Sequence, residues 1–513
     1  MKPQSLTGHR SSGLLLHPTS LPGPHGAGDL GKSAFDFVDF LVAAGQHWWQ
    51  MLPVGPPGAP PGLSPYSSRS AFAGSPCLIS LNKLADDGLL TRRDLSAPAA
   101  VLRGDPEAVH RFRETRLRRA FAAFERDRLW RDDFDRFCKL HHAWLDDFAL
   151  FAALRHDNDD REWSRWAEGI RLRRRADLLA ARARLRDEIR YHEFVQFLFH
   201  RQWSSLRTYA HSRRVGLIGD IPIFVALDSA DVWANPKLFL LDRTSKPRVV
   251  SGCPPDAFCT DGQLWGHPHY DWPAHRRSGF SWWVRRFESM MHRFDAVRID
   301  HFLGFNRAWA VPARSRTARE GKWLRGPGDD LFRAVRRAIG KVPVIAEDLG
   351  AVTTEAIRLR DRWKFPGMRV MQFGFGEGGG YHLPHNYPRR CVAYTGTHDN
   401  DTIQGWFKSL AERNGHPGAL SSAERRKAVH YLDVRDAKQI HWAMIRSAML
   451  SPADCVIFQV QDILGLGAEA RMNVPGVAAG QWRWRLNDSA LSDSAARKLK
   501  DLVQLSDRDG KGS

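Results

Sequence analysis

Phe294-Asp295-Ala296-Val297-Arg298-Ile299-Asp300-His301 is a short, largely apolar run that ends on a carboxylate. The same grammar recurs twice further on. Val342-Pro343-Val344-Ile345-Ala346 stops at Glu347, and Cys391-Val392-Ala393-Tyr394-Thr395 leads into Thr397-His398-Asp399-Asn400-Asp401. Short β-branched and aliphatic runs bounded by turn residues read as strands. Five more such runs lie at Gly13–Leu16, Trp48–Val54, Val215–Val225, Met368–Phe373 and Cys455–Val460, making eight with Phe294–Ile299, Val342–Ala346 and Cys391–Thr395. Several intervals carry helical spacing, as at Ala34, Phe37, Val38 and Leu41. Near-continuous apolar strands that alternate with helices build a parallel sheet buried on both faces. Eight of them predict an α/β fold, the (β/α)8 TIM barrel.

Such a barrel needs about 250 residues, and the chain has 513. The surplus predicts insertions. Between the second and third strands, Phe134, Phe137, His141, Trp144, Phe148, Phe151 and Leu154 recur at helical steps, as do Phe194, Phe197, Leu198 and Trp203. The expected partition is a discontinuous barrel over 1–80 and 206–505, a mainly helical insertion over 81–205, and a disordered tail over 506–513. The Gly- and Pro-rich stretch Ser251–Asp256, with Gln263-Leu264-Trp265-Gly266 after it, is expected to be a shaped loop acting as a lid.

Composition excludes several classes. Hydrophobic residues make up 43% and charged residues 26% of the chain, as in ordinary water-soluble folds. The apolar run Gly13-Leu14-Leu15-Leu16, ended by Pro18, is too short for a signal-peptide core, and no run approaches a membrane span. Six cysteines at 77, 138, 253, 259, 391 and 455 form no zinc spacing and are expected to be reduced core thiols in a cytoplasmic protein. A net charge of +19 raises nucleic-acid binding as a rival. The arginine clusters at 111–119 and 171–175 lie in helical periodicity without a Gly–aromatic recognition motif, so they read as solvated helix faces. Gly374-x-Gly376-x-x-Gly379 matches a dinucleotide fingerprint, but Pro384 and Pro388 leave no helix to hold a pyrophosphate. Asp399-Asn400-Asp401 opens like a calcium loop, yet Gln404 stands where that loop needs Gly.

In a TIM barrel the active site forms at the C-terminal strand ends, where Asp300, Glu347 and Asp399 would converge. Retaining glycoside chemistry needs one ionised carboxylate to attack the anomeric carbon. A second, protonated carboxyl about 5 Å away serves the departing oxygen. Arg298 and Asp300 leave one strand on the same face, so the guanidinium would keep Asp300 ionised as nucleophile. Glu347, near like charge, would be the general acid. Asp399 would brace the sugar ring, with His398 donating beside it. Asp220, in Ile218-Gly219-Asp220-Ile221-Pro222, is expected either to contact substrate or to brace the loop. Asp348 and Asp401 read as helix caps or first-turn residues.

These motifs, with Leu15-Leu16-His17-Pro18-Thr19-Ser20-Leu21-Pro22-Gly23-Pro24, Trp48-Trp49-Gln50, Ser64-Pro65-Tyr66, Pro254-Pro255-Asp256, Leu264-Trp265-Gly266, Leu383-Pro384-His385-Asn386-Tyr387 and Met472-Asn473-Val474-Pro475-Gly476, resemble the 4-α-glucanotransferase family. The resemblance implies an α-amylase-like barrel that moves an α-1,4-glucan segment to another sugar 4-hydroxyl. It implies Asp300 as nucleophile, Glu347 as acid/base and Asp399 as transition-state stabiliser, with substrate contacts from Tyr66, Asp220, Trp265, Arg298 and His398. The implied partners are maltodextrin, starch or glycogen-type glucans with glucose as acceptor. No metal, cofactor, nucleic acid or membrane is expected. The alternatives are an α-1,4-glucan hydrolase and a non-catalytic glucan-binding barrel. Leu63, His267, Val477 and Gln481 depart from the family pattern, which has Asp, Asn, Thr and Asn there.

Overall fold

All eight apolar runs are staves of one closed barrel. The computed structural model describes residues 5–58, 64–127, 130–255, 260–412, 420–477 and 480–510, so Leu63, Asp256 and Cys259 lie outside the described residues. In chain order the strands are β1 (Ser11–Leu15), β2 (Trp48–Gln50), β3 (Gly216–Pro222), β4 (Val249–Cys253), β5 (Gln263–Pro268), β6 (Ala296–Asp300), β7 (Arg307–Pro312), β8 (Lys322–Arg325), β9 (Val344–Ala346), β10 (Gly367–Val370), β11 (Cys391–Tyr394) and β12 (Cys455–Gln459). The parallel barrel closes in the order β1-β12-β11-β10-β9-β6-β3-β2.

Period-2 alternation divides the strand residues between two cores. Ile218, Ala296, Ile345, Met368, Val392 and Ile457 belong to a cluster inside the barrel. Their neighbours of opposite parity, including Leu217, Val297, Val344, Ala393 and Val456, pack outward with the helices. Asp220, Arg298, Asp300 and Glu347 continue the inward parity beyond that apolar layer. The polar site is therefore the top layer of the barrel's own interior.

The stretch expected to be a lid is different. β4 and β5 belong to a four-stranded antiparallel sheet, β5-β4-β7-β8, with Val250, Val311 and Ala318 as its small core. Strands need partners, and here β7 comes from the far side of β6, which a local reading of the loop does not reveal.

Between β2 and β3 the described residues hold helices and no strand, among them Pro106–Asp127, Arg131–Asp157 and Arg186–Ser212. Their aromatic spacing packs Phe124 on Phe194 at 4.7 Å and Phe134 against Phe197 at 5.6 Å. This segment shares one contiguous core with the barrel's outer face. The arginines at 111–119 are not simply a solvated face. Arg113 is buried and donates to Asp29 (3.2 Å) and to the Ile79 carbonyl (2.8 Å), while Arg118 bridges Glu114 and Glu188. In the second cluster Arg173 pairs with Asp147 and lies over the Trp233 ring. Among the described residues no helix is long and apolar enough to cross a membrane.

Disorder from residue 506 does not hold for 506–510. Arg508 is fully buried and donates to the carbonyls of Met449 (2.8 Å), Ser11 (3.0 Å) and Ser451 (3.0 Å), tying the chain end to the underside of β1 and β12. A charged donor holding buried acceptors contributes about 2–3 kcal/mol. Arg508→Ala is expected to lose about that much, read as a drop in denaturant midpoint at unchanged slope.

Candidate active site

β3 and β6 pair in a register that sets Asp220 opposite Arg298 and Pro222 opposite Asp300. The inward Arg298 guanidinium therefore meets two carboxylates. Nη1 donates to Asp220 Oδ1 and Oδ2 (3.0 and 2.8 Å), and Nη2 donates to Asp300 Oδ1 (2.9 Å). Burial opposes the charge on Arg298, but Asp220 and Asp300 outweigh it and raise its pKa well above the ordinary value. The Asp220 side chain is sealed, whereas that of Asp300 stays 31% exposed at the cleft.

Glu347 follows β9 directly. Its Oε2 accepts the His301 peptide N–H (2.7 Å) and its Oε1 accepts that of Leu349 (2.9 Å). Burial, reinforced by the Asp300 charge and opposed by Arg298, pushes its carboxyl up to about 8. His301 makes the first of these bonds from a left-handed backbone, φ 53°. That conformation costs a non-glycine residue of order 1 kcal/mol, and here it turns the peptide next to Asp300 onto Glu347. A Cβ on Gly304 would lie 2.7 Å from Ile223 Cδ1 and 3.1 Å from the His301 ring, so glycine there leaves the ring its space.

Asp399 lies beyond β11 with its side chain 43% exposed. Asn473 Nδ2 donates to its Oδ1 (2.6 Å), Arg471 donates to its carbonyl (2.6 Å), and His398 Nε2 stands 3.4 Å from Oδ1. Tyr66 stacks on His398 at 5.0 Å, and its hydroxyl donates to Asp220 Oδ2 (2.7 Å). Trp482 closes against both rings at 5.8 and 5.9 Å. One unbroken line of contacts thus runs from Glu347 through the His301 peptide, Asp300, Arg298, Asp220, Tyr66 and His398 to Asp399.

Trp265, half-buried on β5, meets the His301 ring edge-on at 4.9 Å. A cavity of about 1000 Å³ adjoins the cluster through Trp482 and extends between His17, Leu52, Phe151 and Tyr191. All eight site residues read from the sequence fall in or beside this line. Asp348 and Asp401 have other duties than capping. Asp348 pairs with Arg360 and accepts the Met368 N–H (2.7 Å), and Thr353 caps the helix that follows. Asp401 accepts from the Thr402 N–H (2.8 Å), while Thr402 Oγ1 accepts the Gly405 N–H inside the next helix. His301, Asn473 and Trp482 had no assigned role, although all three stand in stretches that carry the family resemblance, Trp482 at the head of Trp482-Arg483-Trp484-Arg485.

A sequence model of the family described as 4-alpha-glucanotransferase, glycoside hydrolase family 77, matches residues 16–491. The chain is 44% identical over 516 residues to the 4-alpha-glucanotransferase of Thermus thermophilus, covering 97% of this chain and 99% of that protein. It is 42% identical to the chloroplastic/amyloplastic 4-alpha-glucanotransferase of Solanum tuberosum, covering 96% of this chain and 86% of the relative. The amylomaltase of Streptococcus agalactiae, solved with acarbose, superimposes with a TM-score of 0.92 at 35% identity, covering 97% and 99% of the two chains. With its barrel and its three acids in one line of contacts, the chain belongs to glycoside hydrolase family 77, the 4-alpha-glucanotransferases.

Proposed function

We propose that this protein transfers segments of α-1,4-glucans through a glycosyl intermediate on Asp300. The observation that carries the reading is the line of contacts joining the three acids, with Arg298 between Asp220 and Asp300. In the first half-reaction an Asp300 oxygen bonds to the anomeric carbon as the C1–O4 bond breaks. Glu347, protonated at neutral pH, gives its proton to the departing O4. In the second half the acceptor's 4-hydroxyl returns a proton to Glu347, its oxygen bonds to C1, and the bond to Asp300 breaks. Asp399, oriented by Asn473, accepts hydroxyls of the distorted ring. His398 and Tyr66 wall that ring, and the adjoining cavity gives a longer donor chain room to extend. Maltodextrins, starch or glycogen-type chains are the donors, with glucose or maltodextrin as acceptor. The cytosol suits the free thiols of Cys77, Cys138, Cys391 and Cys455.

Incubation with maltotriose is expected to yield glucose and a ladder of longer oligomers, with the number of reducing ends constant. Glucose and maltose alone, with reducing ends rising, would make the protein a hydrolase. No change in the sugar would leave a non-catalytic barrel.

A further inference from the structure

His398 and Asp399 ride on the loop 396–402, between β11 and the helix Ile403–Glu412. Gly396-Thr397-His398-Asp399-Asn400-Asp401-Thr402 brings no aliphatic side chain to pack, so hydrogen bonds must fix it. Within the loop, Asn400 Oδ1 accepts from the Thr397 N–H and hydroxyl (both 2.9 Å), which closes one turn. Its place over the barrel is set from outside. The Thr395 hydroxyl donates to Asp462 Oδ2 (2.9 Å), and the Ile403 N–H donates to Asp462 Oδ1 (2.8 Å). Thr395 stands just before the loop and Ile403 just after it, and all three residues are buried. Asp462 follows β12, which pairs with β11 as far as Tyr394 opposite Ile457. One carboxyl beyond the neighbouring strand therefore grips both ends of the loop. Arg471 and Asn473, further along the same connection, hold Asp399 at the loop's middle.

We propose that Asp462 is a positioning residue: by tying both ends of loop 396–402 to β12 it fixes where Asp399 meets the sugar ring. The proposal rests on the transferase reading above. Helix capping does not account for Asp462, because Thr402 Oγ1 already accepts the Gly405 N–H in the first turn. Stability does not account for it either. Its two partners are a hydroxyl and a peptide group, and burial, reinforced by the Asp401 charge, pushes its carboxyl up to about 7. Burying such a group costs free energy that an apolar side chain would not. What the carboxyl alone offers is two oxygens, one for each end of the loop. Asp399 acts on the ring in the transition state, so displacing it by about 1 Å should lower the rate with little loss of substrate binding.

The test uses the full chain with α-maltosyl fluoride as donor and glucose as acceptor, an activated pair that keeps slow variants measurable, and rates are scaled to the folded fraction. Asp462→Ala is expected to lower kcat about 10- to 100-fold, the scale of a misplaced group, with KM within about twofold. Asp462→Asn, whose amide offers an oxygen to the Ile403 N–H and an N–H to the Thr395 hydroxyl, should recover most of the loss. In an Asp399→Asn background the group being positioned is already gone. There Asp462→Ala should cost less than about threefold, since residues that act through one another are not additive. Thr395→Val, which removes one of the two bonds, decides in its place if the alanine variant does not fold. A kcat in the folded variant within about twofold of wild type would overturn the proposal, as would the same factor lost in both backgrounds. A wild type that makes no transfer product from maltotriose fails the transferase reading itself, before any variant is compared.

Discussion

Asp300→Asn is expected to slow maltotriose turnover by ~10⁴-fold or more, the scale of losing a covalent nucleophile, with the fold intact. An amide oxygen is too weak a nucleophile to form the bond to C1, and nothing nearby can replace it. Asp220 is sealed beneath Arg298, and Asp399 is held by Asn473. The fold should survive because Arg298 keeps both contacts to Asp220, and the lost partner is the more exposed of the two. The check pairs a product assay with a thermal melt. A folded variant with near-normal activity would remove Asp300 from the reaction.

Glu347→Gln is expected to cost ~10³-fold with maltotriose, within the range of a general acid, and to leave a diagnostic pattern. A glycosyl fluoride, whose leaving group needs no proton, should still load Asp300. The second half-reaction, lacking its base, should stall, so the adduct accumulates and appears as added mass on the peptide carrying Asp300. With Glu347 as the proposed acid, the wild-type kcat/KM should fall as pH rises through about 8, and the variant should lack that limb. Stability carries the same signature. The folded state holds a proton on Glu347 between its ordinary 4.5 and about 8, where the unfolded chain does not. Its stabilising contribution is therefore complete at low pH and declines as pH rises across that window. The glutamine variant, neutral throughout but with only one oxygen for the two peptide N–H groups, should lose this pH dependence of melting. An unchanged alkaline limb would assign the titration to another group.

Strand identity was legible because burial on both faces demands continuous apolar runs, and each of the eight runs is a barrel strand. Their ends were less legible. Trp48–Val54 pairs only as far as Gln50, and Val215–Val225 only over Gly216–Pro222. The apolar residues beyond are buried in loops, which hydrophobicity alone cannot distinguish from strand. The β4/β5 segment read as a lid for the converse reason: its hydrogen-bonding partner β7 lies beyond an entire barrel strand.

The order of strands, their carboxylate ends and the shared face of Arg298 and Asp300 were all determined by the sequence, since period and polarity are local properties of the chain. Only the tertiary structure decided that Asp220 stands level with Arg298, that a left-handed His301 turns its peptide onto Glu347, and that Asn473 reaches Asp399 from 74 residues away. These depend on strand register, on a backbone angle and on loop closure. Each is set by the packing of segments distant in the chain, which no local pattern of residues encodes.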